Sequence, residues 1–166
     1  MISGTVIVIG GGLAGSEAAW YLANSGIRVE IWEMRPEKQT PAHRTGYLAE
    51  LVCSNSLKTE ALDNASGLLK GEMALLGSLV IRSAKQSRIP AGGALAVDPE
   101  DFSRFITESL NSHPNVTIVT KEATDVPSGP VIVATGPLSS PAISAAISQI
   151  TGEKHLYFYD AAAPLV

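Results

Sequence analysis

Cysteine is nearly absent: Cys53 is the single one in 166 residues. An internal disulfide is therefore excluded, which agrees with a reducing compartment, and one thiol cannot build a cysteine zinc site. The three histidines, His43, His113 and His155, show no metal-ligand spacing, so no metal is expected. Long apolar runs are missing too. No stretch approaches the ~18 residues of a membrane span. The apolar residues 5–9 run at once into glycines with no basic segment before them, which marks a strand rather than a secretory signal. Neither a membrane partner nor export is expected, and a cytoplasmic location follows. Positive charge is scarce as well. A net charge of −4 argues against a protein that coats nucleic acid non-specifically, although no acid falls between Glu72 and Asp98, where Arg82, Lys85 and Arg88 stand three residues apart. That stretch suits either a phosphate-contacting stripe or a solvated helix face.

What the chain has in quantity is apolar residues and glycine: 45% of residues are apolar, 17% are charged, and there are 15 glycines. The length suits one domain with a sizeable core. TVIVI at residues 5–9 reads as a central parallel strand. Glycines follow, then a helix over 13–25 with Gly26 as its left-handed stop, and RVEIWE at 28–33 is a second strand. Residues 34–51 carry Pro36, Pro41 and Gly46 with several basic residues, and read as an ordered, functional loop over a ligand. Residues 50–57 suggest a helical turn. Residues 65–78 read as a helix that 79–86 extends. Pro90 to Val97 is a glycine turn and an apolar stretch. Asp98 as N-cap, Pro99, Glu100 and Asp101 announce a helix with Phe102, Phe105, Ile106 and Leu110 buried. Residues 115–120 and 130–134 are strands, 139–150 a helix and 156–159 an extended segment. The expected architecture is α/β: a parallel Rossmann-type sheet with helices on both faces.

The chemistry is concentrated in the first 33 residues. Gly10, Gly12 and Gly15 form G-x-G-x-x-G between an apolar strand and a helix. Gly10 permits the tight turn, Gly12 leaves room for a pyrophosphate, and Gly15 lets helix and strand pack closely. The backbone of Gly11, Leu13 and Ala14 completes a helix N-terminus able to receive phosphate. Glu33 lies 18 residues beyond Gly15, at the tip of the second strand, where its carboxylate can accept the ribose hydroxyls of an adenosine and would repel a 2′-phosphate. The bland alternative, a nucleotide-free glycine turn, explains fewer of these positions. NAD and FAD both fit the glycine motif alone. VIVATG at 131–136 is similar to the second motif of two-dinucleotide-fold flavoproteins, in which the turn at Thr135 and Gly136 approaches FAD, so FAD is the expected cofactor.

Beyond that motif, GGGLAGSEAA (10–19), EMRP (33–36), TPAH (40–43), AELVCSNS (49–56), PAGGALAVD (90–98), ATGPL (134–138) and YFYDAAAPLV (157–166) stand in one order. Together they resemble the bacterial folate- and FAD-dependent tRNA (uracil-5-)-methyltransferases, the TrmFO family. The resemblance covers essentially the whole chain. It implies conversion of a T-loop uridine of tRNA to ribothymidine, with methylenetetrahydrofolate as carbon donor, reduced flavin as electron source and NAD(P)H as reductant. It implies flavin contacts by Met34 and Arg35 after Glu33, and a functional role for Cys53, since a thiolate adding to uracil C6 makes C5 nucleophilic. A helix start at Cys53 would favour that thiolate; read from the residues alone, a lone cysteine is more often an inert buried thiol, and the functional role is what the resemblance implies. Members of that family are more than twice this length and carry a second functional cysteine without counterpart here. The expectation is therefore an N-terminal part of an FAD-binding domain, spanning 1–166, inactive in methyl transfer by itself. The related MnmG-like wobble-uridine flavoproteins share the glycine loop but typically carry Cys-Asn-Pro where this chain has CSNS. A non-catalytic nucleotide-binding module is the alternative from another class.

Overall fold

The computed structural model describes residues 4–153; the expected extended segment at 156–159 and the motif at 157–166 lie outside them. The elements are β1 (Thr5–Ile9), α1 (Leu13–Asn24), β2 (Arg28–Glu33), β3 (Ser56–Thr59), α2 (Ala65–Leu75), α3 (Leu79–Gln86), β4 (Arg88–Ile89), β5 (Ala94–Val97), α4 (Pro99–Asn111), β6 (Val116–Thr120), β7 (Val131–Val133) and α5 (Pro141–Thr151), with a single 3-10 turn at Gly136–Leu138.

The main sheet has the order β6-β2-β1-β7, all parallel. Its register explains why β1 is apolar throughout. Val6 and Val8 stand beside Val29 and Ile31 on one face, which α1, α3 and α4 cover with Ala19, Ala23, Leu79, Ala84, Phe102, Ile106 and Leu110. Ile7 and Ile9 point the other way, where Ile143, Ala146 and Ile147 of α5 pack with Trp32 and Ala123. Helices thus lie on both faces, as expected for an α/β sheet. Gly26 adopts φ +79 just after α1, and Ile27 N–H closes on Leu22 O at 3.1 Å. Asp98 caps α4 by accepting from the N–H groups of Glu100 (3.0 Å) and Asp101 (2.9 Å).

Two expectations need correction. Residues 50–57 hold no helical turn: 50–55 are irregular, and Ser56–Thr59 pair antiparallel with β5. A second, three-stranded sheet, β3-β5-β4, results. Its strands have two to four residues, too short for an alternating pattern to stand out in sequence. Residues 65–86 are two helices rather than one. Gly77, at φ +76, turns the chain, and Ser78 restarts it as N-cap of α3. The glutamate on α1, Glu17, completes that restart by accepting from Leu79 N–H (3.2 Å), Val80 N–H (2.9 Å) and the Ser78 hydroxyl (3.0 Å). The partner that ends one helix and starts another lies about sixty residues away along the chain.

Candidate functional site

In an open parallel sheet, ligands bind beyond the carboxyl ends of the strands, where the chain leaves one central strand to the right and its neighbour to the left. Here that point lies between β1 and β7, and the two turns there are in close contact. Gly10 has φ +99, and a Cβ on it would lie 2.7 Å from Ala134 O, so a side chain is excluded both by backbone conformation and by space. Gly15 acts one turn into α1: a Cβ there would fall 1.9 Å from Gly10 O. Gly12 differs from both. Nothing lies within 4 Å of where its Cβ would be, so its bareness keeps space open rather than filling it.

That space is a cavity of about 290 Å³. Gly10, Gly11, Gly12, Leu13 and Ala14 form one wall, Glu33, Met34 and Arg35 another, and Thr135 and Gly136 a third. Ten of the expected site residues are thereby brought together. Gly15 is buried behind the wall and serves packing. The cavity's floor is the start of α1, whose N-cap Gly12 offers no side chain and whose first turn holds no acid. Its leading N–H groups are open to an anion, with the helix dipole behind them.

Glu33 is at the predicted place but is more constrained than an exposed ribose acceptor. Its carboxylate receives Gly11 N–H (2.9 Å), Arg35 N–H (3.1 Å), Arg35 Nε (2.9 Å) and Arg35 Nη2 (3.1 Å). Two donors reach each carboxylate oxygen, so the group is held in one orientation. Burial pushes the Glu33 pKa up, but the Arg35 guanidinium and the two backbone N–H groups outweigh it and hold the carboxyl below its ordinary value of 4.5. Arg35, itself buried, also reaches Glu50 Oε2 at 3.3 Å. Glu50 in turn gathers Arg44 N–H (2.8 Å), Thr45 N–H (3.0 Å) and the Thr45 hydroxyl (2.7 Å). The long loop after β2 is therefore ordered from within, and Lys38 ties it to Glu122 after β6 at 2.6 Å. On this loop His43 lines the cavity, its Nδ1 2.6 Å from the Thr40 hydroxyl. Burial and then Arg35 lower the His43 pKa below its ordinary value, which favours the neutral ring.

Cys53 is exposed and does not line the cavity; its neighbour Val52 does. It precedes β3 in an irregular segment, so the expected helix N-terminus beside the thiol is absent. The basic stripe also dissolves. Arg88 belongs to β4 and pairs with Glu60 at 2.9 Å, and Arg82 stacks over Trp20 and Phe105. All three side chains remain exposed, but three residues on two elements make no common helical face. Sequence reasoning missed Lys121, Glu122 and Ala123, which line the cavity after β6, and Ser139 and Ser140 beyond β7. The signal was available: each group follows the carboxyl end of a parallel strand.

Residues 5–166 match the family described as glucose inhibited division protein A. The chain belongs to that family. Among its relatives, the methylenetetrahydrofolate–tRNA-(uracil-5-)-methyltransferase TrmFO of Moorella thermoacetica is 59% identical over 166 residues, covering 99% of this chain and 38% of that protein. The Bacillus subtilis protein of the same name is 58% identical over 162 residues, covering 98% and 37%. This family member thus spans little more than a third of the length of the curated relatives it matches. Two solved structures share the fold. GidA of Aquifex aeolicus superposes with a TM-score of 0.64 at 18% identity, over 80% of this chain and 25% of that one. The GidA-related protein of Thermus thermophilus gives 0.51 at 16%, over 87% and 67%.

Proposed function

We propose that this chain is the N-terminal, FAD-binding part of a folate-dependent tRNA (uracil-5-)-methyltransferase that forms ribothymidine at a T-loop uridine in the cytoplasm. The observation that carries the reading is the 59% identity, over 99% of the chain, with a protein of that name. The cavity supports the cofactor. Its open space over Gly12, the uncapped start of α1 and the carboxylate at the end of β2 suit a pyrophosphate followed by an adenosine ribose. FAD, when bound, supplies the electrons that turn the transferred one-carbon unit into a methyl group, with NAD(P)H as the ultimate reductant.

The chain's own residues have separate tasks in this scheme. The N–H groups at the start of α1 hold the pyrophosphate, and Glu33 orients the ribose and repels a 2′-phosphate. Thr135 and Gly136 close the cavity on the β7 side. Cys53 adds to uracil C6 or assists a thiol supplied from beyond residue 166. Because its exposed position leaves it outside the cavity wall, it meets the tRNA at the surface rather than the adenosine end of the cofactor. A wobble-uridine activity is not favoured, since the relatives at 57–59% identity carry the uracil-5-methyltransferase name.

The test uses a full-length polypeptide with FAD, tRNA transcript, methylenetetrahydrofolate and NADH. Cys53→Ala is expected to retain FAD absorbance and lose ribothymidine formation, while residues 1–166 alone form none. A full-length protein that neither binds flavin nor methylates uridine would overturn the function. Wild-type turnover by Cys53→Ala would overturn the role of the thiol alone.

A further inference from the structure

Helix α2 is mounted inside out. Its one buried residue is Gly67, which has no side chain, and a Cβ there would fall 2.0 Å from Ala61 O. The helix touches the rest of the fold through this bare face. Its leucines point away: Leu68, Leu69, Leu75 and Leu76 are 50%, 56%, 90% and 76% exposed, and Leu62, just before the helix, is 68% exposed. Positions i, i+1, i+7 and i+8 fall on one side of a helix, the pattern of a helix that packs into a groove. Scattered surface leucines need no explanation, but five exposed ones on one short segment, with Glu72 the one exposed charge on α2, make an apolar-rich surface of the kind that marks an interface.

The chemistry of the surface narrows what covers it. Between the leucines, α2 carries only Lys70 and Glu72 as charges, and the Lys70 ammonium is engaged by Ser66, by its carbonyl at 2.8 Å and its hydroxyl at 2.7 Å. A tRNA backbone would need cations here, and a membrane-surface helix would need a basic polar face. An apolar polypeptide surface fits. The relatives continue well past the region matched, which amounts to 38% of the Moorella thermoacetica protein. We propose that the leucine face of α2 is the docking surface for the carboxy-terminal polypeptide that these relatives carry and this chain does not cover, so that in the full-length protein Leu68, Leu69, Leu75 and Leu76 are interior residues. Such docking concerns assembly of the polypeptide and stands whether or not the methyltransferase reading holds.

The test joins residues 1–166 to the uncovered part of the Moorella thermoacetica relative and compares this protein with the 166-residue chain, both carrying Cys53→Ser. Leu69→Cys, Leu75→Cys and, as a control on α4, Glu108→Cys are labelled with a soluble maleimide. These positions are exposed in the chain, so the substitutions leave its fold intact. The expected result is labelling at least about tenfold slower at Leu69→Cys and Leu75→Cys in the joined protein than in the chain, with equal rates at Glu108→Cys. Equal rates at all three positions would overturn the proposal. Protection already present in the 166-residue chain, and growing with its concentration, would equally overturn it in favour of a second copy as the occupant.

Discussion

Two helices start close together in this molecule and are treated in opposite ways. The first turn of α3 is fully provided for: Ser78 caps Ile81 N–H at 3.2 Å, and the Glu17 carboxylate takes Leu79 and Val80. The first turn of α1 has no side-chain cap, although α1 itself carries the glutamate that serves α3. A helix start left without partners inside a protein costs free energy unless something else supplies them. At α3 the fold supplies them, and the result is structure. At α1 the surrounding glycines hold the position open, and the result is a helix start accessible to an anion. The difference lies in where acidic and hydroxyl side chains are withheld, which is a property of a few residues and not of helices in general.

Four measurements would break or sharpen this contrast. The largest effect is expected from Gly15→Ala, because the new Cβ would meet the Gly10 carbonyl, which is backbone and cannot step aside. Destabilisation of about 3 kcal/mol or more is expected in urea unfolding, with nucleotide binding lost alongside. A variant as stable as wild type would remove Gly15 from the packing account. Next is Glu17→Ala, which strips the acceptor from three donors at the start of α3. About 2 kcal/mol should be lost, with ADP affinity within about twofold of wild type by titration calorimetry. A large fall in ADP affinity at unchanged stability would reverse the roles assigned to the two helix starts.

Acid should act on the α1 side through Glu33. Its folded-state pKa is lowered, so the stabilisation it contributes is fully present above the ordinary value of 4.5 and is lost as pH falls through the lower, folded-state value. Glu33→Gln should flatten that acid limb in a series of urea melts; an unchanged limb would mean that other carboxylates carry it. The smallest effect on stability belongs to Gly12→Ala, whose Cβ meets nothing. The urea midpoint should move by less than about 1 kcal/mol equivalent, while affinity for ADP or FAD drops about tenfold or more. Unaltered affinity would show that the phosphate does not approach Gly12.

The glycine loop and Glu33 were legible because their logic is local. Strand, turn, helix and strand follow one another within the first 33 residues, and most of these positions answer to a neighbour within that span or to the ligand itself. The same holds for Asp98 and Pro99 at α4, where cap and first turn are adjacent in the chain. Legibility failed where the deciding partner is remote. The break at residues 76–78 depends on Glu17, and β3 exists only because Ala94–Val97 lie beside it. The helical turn expected at residues 50–57 gives way to an irregular segment whose backbone leads into β3. Arg82 and Arg88 read as a stripe by spacing, yet two aromatic rings and Glu60 claim them.

By itself, the sequence determined the parallel α/β class, the position of the glycine turn after β1 and the sign of the charge at the end of β2. Apolar periodicity and glycine spacing carry these, since both act over one or two turns of chain. Only the tertiary structure decided that Glu33 is held by four donors, that Arg35 links it through Glu50 to the loop bearing His43, and that Lys121 and Glu122 complete the cavity. It also decided that α2 turns its leucines outward. Buried ion pairs and exposed apolar faces depend on which distant segments meet, and that is settled by the packing of the sheet and its helices rather than by any local run of residues.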